Sequence, residues 1–119
     1  MRRTVVERCP GSVGRMWFSA IEVPGDGERI LAVTGDLDLS AVPQFRSALR
    51  GLGATGGHVV VDLTGVEVID SVGIGLLLGA RRRVVEAGGS FAVRCGPGRV
   101  ARLLELTAVA EILGLEHTT

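Results

Sequence analysis

The sequence has no lysine, 3% aromatic residues and two cysteines in 119 positions. Each scarcity excludes something. Single-stranded nucleic-acid binding uses aromatic platforms on which bases stack, and this chain has too few rings to build one. The core must come from Val, Leu, Ile and Ala instead. Cys9 and Cys95 lie far apart with no CxxC spacing, so the sequence supports no zinc site. A disulfide between them stays open, but free thiols suit a cytosolic chain. Charge of one sign is lacking too: 13 basic residues, all Arg, balance 13 acidic ones. No basic stripe results, and no direct nucleic-acid contact is expected. Arg81-Arg82-Arg83 is spread around a helix and reads as a solvated face or partner contact. No apolar run reaches the ~18 residues of a membrane helix. The opening MRRTVVERCPGSVGRMW has no long apolar core and does not read as a signal peptide. The expectation is a cytoplasmic protein with no membrane contact.

What is present suits one folded domain. The residues are 46% hydrophobic and 22% charged, with mean hydropathy +0.39. A chain this long buries roughly two-thirds of its unfolded surface. Residues 1–15 read as a loose N-terminal arm, with Val5-Val6 as a pairing segment, and residues 16–119 as the domain. Met16 to Val23 and Arg29 to Thr34 read as two strands joined at Pro24-Gly25-Asp26-Gly27, a hairpin. Gly35-Asp36-Leu37-Asp38 reads as a polar loop. It leads to a helix with Ser40 as N-cap and Pro43 in its first turn. Val42, Phe45, Leu49 and Leu52 form the apolar face of that helix.

His58 to Leu63 is nearly all apolar and β-branched, as a central strand covered on both faces should be. A turn, a short extended piece (Val66 to Ile69) and Asp70-Ser71 follow. A second helix runs from about Val72 to Ala87 and stops at Gly88-Gly89. Ser90 to Arg94 is another strand. A third helix, Arg99 to Leu106, follows, with Val100, Leu103 and Leu106 toward the core. Thr107 to Leu115 is a short helical or coil element before a brief final strand or tail. Strands alternating with helices imply an α/β fold, a mixed, mostly parallel sheet of about four to five strands with about three to four helices.

Ser71 is the residue to explain. As an N-cap it would satisfy a backbone N–H and need no other role. Three features add to that. Gly73 and Gly75 stand in the first helical turn, where each costs roughly 1 kcal/mol, which suggests close approach to the backbone. Asp70 precedes the serine, and a carboxylate is favourable at a helix start. The turn follows the carboxyl end of a central strand, where open α/β sheets place ligand and partner sites. Nucleophilic catalysis does not fit: GxSxG is absent, His58 begins the strand whose far end leads to Ser71, and His117 lies in the tail. GxxxxGK[ST] is absent as well, so no phosphate cradle and no cofactor are indicated. A serine that is itself phosphorylated remains, gaining about −2 charge at a helix start.

These residues carry a resemblance. Gly35-Asp36-Leu37-Asp38 resembles the G-E-L-D loop of the bacterial STAS-domain family, and within it of the anti-sigma factor antagonists. Val60 to Val66 resembles the family's central strand and turn. Ile69-Asp70-Ser71-Val72-Gly73-Ile74-Gly75-Leu76-Leu77 resembles its D-S-S-G-L-G-V-L phosphorylation segment, and Arg99 to Thr107 its R-x-x-L-x-L-[TS]-G end. The resemblance covers roughly Trp17 to Leu115, and these four blocks carry it. The resemblance implies a STAS-like fold and a partner-switching regulator of transcription, of the kind used in stress response and sporulation, rather than an enzyme. It implies two partners, a kinase-type anti-sigma factor that phosphorylates Ser71 and a phosphatase that reverses this. A homodimer is compatible with it. The implied partner-binding residues are Asp36, Asp38, Asp70, Ser71, Val72, Gly73, Ile74 and Gly75. Asp38 also suits helix-start capping, and Asp62 a structural bond to a neighbouring turn. Leu37, Ile74 and Leu78 suit either an apolar contact patch or the core. Val72 replaces the family's second serine, Asp36 its glutamate, and Ala108 a frequent glycine. The alternatives are a STAS-type scaffold or small-ligand module (nucleotide or lipid) without a phosphoswitch, and a hydrolase using Ser71, which lacks a base.

Overall fold

The computed structural model describes residues 3–8, 17–25, 28–37, 41–52 and 57–117. In chain order these form β1 (Arg3–Arg8), β2 (Trp17–Gly25), β3 (Glu28–Leu37), α1 (Val42–Leu52), β4 (His58–Ile69), α2 (Ser71–Glu86), β5 (Ser90–Cys95), α3 (Arg99–Leu106), α4 (Ala110–Leu113) and β6 (Leu115–His117). The six strands lie side by side in sequence order. β1, β2 and β3 pair antiparallel. β3, β4, β5 and β6 pair parallel, because a helix returns the chain between each pair. The α/β architecture and mostly parallel sheet are as expected. The strand number exceeds the expected four to five because Val5-Val6 lies in β1, opposite Ala20 and Ser19 of β2.

β4 is the axis. It has a partner on each side, and Val59, Val60, Val61 and Leu63 are buried, as a β-branched run in a central strand requires. Val59, Val61 and Leu63 join Leu31, Val33, Phe91 and Val93 in the main core, with Phe45 and Leu49 of α1 and Leu77, Ala80 and Val84 of α2. α2 looks uniformly apolar in the first half of its sequence. Its buried set is Gly73, Ile74, Leu77, Ala80 and Val84, one stripe at helical spacing. Its last turn closes with Ala87 N–H donating to the Arg83 carbonyl, and Gly88 continues at φ +88°, a backbone suited to glycine.

Several expectations are corrected. Pro24 and Gly25 belong to β2, opposite Arg29 and Glu28, while Asp26 and Gly27 lie outside the described residues. Gly35-Asp36-Leu37 is not a loop but the end of β3, and Thr64-Gly65 is not a turn but part of β4. β4 carries extra residues at two register shifts, between Ala32/Thr34 and Gly35/Asp36, and these let pairing run on to Asp36 opposite Val68 and Leu37 opposite Ile69. Gly65 is needed at the first shift, since a Cβ there would meet Thr34 Cγ2 at 2.5 Å. In α3 Val100 is buried and Leu103 packs against the core as expected, but Leu106 is 77% exposed and Ala101 and Leu104 are buried instead. Leu37 and Ile74 belong to the core, with Leu78 packed against it, so the apolar contact patch does not form from them.

Candidate functional site

Two parallel strands end together beside one helix start. Leu37 closes β3 and Ile69 closes β4, paired in register. The Asp70 N–H donates to the Leu37 carbonyl at 3.2 Å, one bond beyond the ladder. That bond holds Asp70 in extended geometry, φ −113° and ψ −176°, so helical backbone begins one residue later. Asp70 is therefore the N-cap, and Ser71 is not. Asp70 Oδ1 accepts the N–H groups of Val72 at 3.0 Å and Gly73 at 3.1 Å. Both Asp and Ser are strong N-cap residues, so where they adjoin, the strand pairing makes the choice.

The correction changes what Ser71 can do. It occupies the first helical position, is exposed, and its hydroxyl makes no hydrogen bond among the described residues. A hydroxyl used for capping would be shielded by its own bond; this one is presented to solvent. Val72 beside it is 38% exposed, and Val68, three residues before Ser71, is 43% exposed. Sequence reasoning misses Val68, which reads as strand interior. Asp36, on β3 opposite Val68, is half-buried. Asp38 and Ser40 lie outside the described residues, as does Cys9.

The two glycines separate. At Gly73 a Cβ would meet Ile69 Cγ1 at 2.9 Å and the Leu37 carbonyl oxygen at 3.0 Å. Its missing side chain is explained inside the protein, where α2 is seated on the ends of β3 and β4. At Gly75 a Cβ would meet nothing within 4 Å, and the residue is exposed. Gly73 and Ile74 thus face inward, and the surface belongs to Ser71, Val72 and Gly75.

Two other clusters lie elsewhere on the sheet. His58 opens β4, with Nδ1 2.6 Å from Ser90 Oγ and Nε2 3.6 Å from Glu28 Oε2. Sequence reasoning misses this Glu-His-Ser row, although the parallel register pairs the first residues of β3, β4 and β5 directly. The row lies at the other end of β4 from Ser71, about 35 Å away at roughly 3.3 Å per residue. Its backbone donors are spent: Gly88, Gly89 and Ser90 N–H all bond to carbonyls, leaving no oxyanion site beside Ser90. The second cluster is a groove of about 380 Å³ between β4 and the β5–α3 connection, lined by Thr64, Glu67, Cys95, Gly98 and Arg99 among others. Burial, then the charge of Asp62, pushes the Cys95 thiol up, so it is a poor thiolate. Asp62 itself accepts the Thr64 N–H at 2.9 Å, a structural bond within β4 rather than to a turn. Among the described residues no group of three His, Cys, Asp or Glu could hold a metal ion, and no helix is long and apolar enough to cross a membrane.

Comparison with known proteins adds to this geometry. The model of the STAS domain matches residues 19–119. The anti-sigma-B factor antagonist of Bacillus subtilis (strain 168) is 28% identical over 83 residues, 70% of this chain and 76% of the relative. The crystal structure of an anti-sigma factor antagonist from Mycobacterium paratuberculosis superposes with a TM-score of 0.76 at 24% identity, covering 86% of both chains. The anti-sigma factor antagonist SpoIIAA superposes in its unphosphorylated form with a TM-score of 0.67 at 20% identity, covering 86% of this chain and 88% of its own. In its phosphorylated form the score is 0.61 at 21% identity, covering 86% and 91%. At these identities the solved structures speak to the fold.

Proposed function

The chain belongs to the STAS domain family, and from that premise we propose that it is an anti-sigma factor antagonist switched at Ser71. Unphosphorylated, it binds a kinase-type anti-sigma factor and so releases a sigma factor. Phosphorylation of Ser71 by that partner ends the binding, and a phosphatase restores it. In this reading the chain is a cytoplasmic regulator, not an enzyme, and touches neither nucleic acid nor membrane. The observation that carries it is the Ser71 hydroxyl, exposed and without a hydrogen bond among the described residues at the head of α2, where Asp70 has taken the cap. The anti-sigma-B factor antagonist relatives support the same role.

Ser71, Val72 and Gly75 form the contact face, with Val68 and Asp36 beside it; Asp38, a partner contact by the resemblance, lies outside the described residues. A partner can come close at Gly75, where no side chain intervenes. A phosphate on Ser71 would add about −2 charge beside Asp70. Leaving a charge buried and unpaired in a fitted interface costs several kcal/mol, and 1.4 kcal/mol is already tenfold in affinity.

The test is co-purification from the source cell with wild-type, Ser71→Ala and Ser71→Asp chains, followed by phosphopeptide mapping. Wild type and Ser71→Ala should retain a kinase-type anti-sigma factor, Ser71→Asp should lose it, and phosphate should map to Ser71. Equal retention by all three would overturn the switch. A second reading, a small-ligand module, has the β4–α3 groove with Arg99 in its favour. Saturable stabilisation by nucleotides in a thermal-shift titration, lost in Arg99→Ala, would select it instead.

A further inference from the structure

A phosphate on Ser71 would ordinarily be drawn into the start of α2. A helix N-terminus offers free N–H donors and a positive dipole end, and a phosphoryl group one residue away takes them readily. Here the donors beyond Ser71 are not free. Asp70 Oδ1 holds both the Val72 and the Gly73 N–H, and the next one, Ile74 N–H, donates to the Asp70 carbonyl at 3.0 Å. Asp70 in turn is fixed by its own N–H to the Leu37 carbonyl. That bond fixes the Asp70 backbone at the strand end, from which its carboxylate reaches the two N–H groups.

We propose that Asp70 is a positioning residue for the switch: by occupying the Val72 and Gly73 donors of α2 it keeps the Ser71 phosphate out of the helix and on the partner-facing surface. This rests on the reading of Ser71 as the phosphorylated residue. In the transfer, the Ser71 Oγ–P bond forms as the bond from the γ-phosphorus to its bridging oxygen in a nucleoside triphosphate breaks. The nucleoside diphosphate departs, and the hydroxyl proton goes to a base on the kinase. The product is a dianion next to the Asp70 carboxylate, with the Val72 and Gly73 donors of α2 already held. Its full charge therefore meets the partner, and later a phosphatase. Were the phosphate absorbed by the helix, part of that charge would be masked and the contrast between the two states would shrink.

The test installs phosphoserine at position 71 during synthesis of the full chain, so that no kinase or partner is required. It compares the wild type with Asp70→Asn, an uncharged substitution that caps the unphosphorylated helix but yields its donors to a dianion more readily. Amide resonances of Val72 and Gly73 report who holds those donors, and a phosphorus-31 titration reports the phosphate. In the wild type, phosphorylation should leave the two amides in place, and the second phosphate pKa should stay at or above its ordinary value of about 6. In Asp70→Asn the phosphate should capture the amides, moving both downfield and lowering that pKa by roughly one unit. Movement of the two amides on phosphorylation of the wild type would overturn the inference, and so would identical behaviour of the two chains. The partner capture experiment is separate. If it fails while the amides behave as stated, the function reading falls and the positioning role stands; the reverse result removes only Asp70.

Discussion

β4 has a serine near each of its ends, and the two differ in every respect that matters. Ser90, beside the start of β4, has its hydroxyl 2.6 Å from a histidine ring with a carboxylate beyond. Ser71, past the far end, bonds to nothing among the described residues. By side-chain inventory the first looks like chemistry and the second like a spare hydroxyl. Their surroundings reverse this. Around Ser90 the backbone donors are consumed and the three side chains are the paired first residues of three parallel strands, so the row works as a cross-strand tie. Around Ser71 the neighbouring carboxylate has taken the structural duty, and the hydroxyl is left available. A satisfied polar group is spoken for, and an exposed unsatisfied one at a strand's carboxyl end is open to a partner.

The largest expected effect is on partner binding. Ser71→Asp should weaken the anti-sigma factor complex about 100-fold or more, the worth of one desolvated unpaired charge. Ser90→Asp, the same charge at the other end, should change the dissociation constant less than about twofold, since exposed charges distant from an interface are screened within ~8–10 Å. Titration calorimetry on both variants decides the matter. Comparable losses at the two ends would mean that the contact face has been placed wrongly.

Stability provides the next contrast, within the Ser71 end itself. Gly73→Ala puts a methyl against Ile69 and the Leu37 carbonyl, a backbone atom that also accepts the Asp70 N–H. Overpacking of this kind costs roughly 1–3 kcal/mol. Gly75→Ala has open space around it and removes a glycine from a helix, which should stabilise by up to about 1 kcal/mol. Urea denaturation should therefore move the two variants in opposite directions. On binding the order inverts: Gly75→Ala should weaken the partner complex although the chain is more stable. If Gly75→Ala binds normally, the close approach proposed there is wrong.

Local signals are legible in the sequence, and signals set by distant partners are not. The β-branched run Val59-Val60-Val61 announces a central strand, and Gly88-Gly89 announces a helix end, because both are local. The cap assignment does not emerge, because Asp70 and Ser71 are both good caps and the choice is made by a bond to Leu37, 33 positions earlier. The extension of β3 through Gly35-Asp36-Leu37 is hidden for the same reason, as the extra residues that permit it lie on its neighbour. Ala108 is a subtler case. The sequence marks it as a departure from a frequent glycine, and only the backbone supplies the reason: φ is +60° there, a conformation that disfavours any side chain.

The smallest effect is expected from Ser90→Ala, and it tests the contrast between the two serines most directly. The substitution deletes the hydroxyl that bonds His58, in an exposed setting where water replaces the lost partner. The backbone holds β5 without it. The Ser90 N–H still donates to the Gly57 carbonyl at 3.2 Å, and Ser90 to Arg94 still pair with His58 to Asp62. The loss in urea denaturation should therefore stay below about 1 kcal/mol, the range of one cross-strand side-chain pair. Partner affinity, read by the same calorimetry, should not move. A loss of binding on Ser90→Ala would place function at the wrong end of β4, because the variant adds no charge and leaves the strand pairing intact. Binding that survives Ser90→Ala but not Ser71→Asp would assign the satisfied serine to structure and the unsatisfied one to the switch.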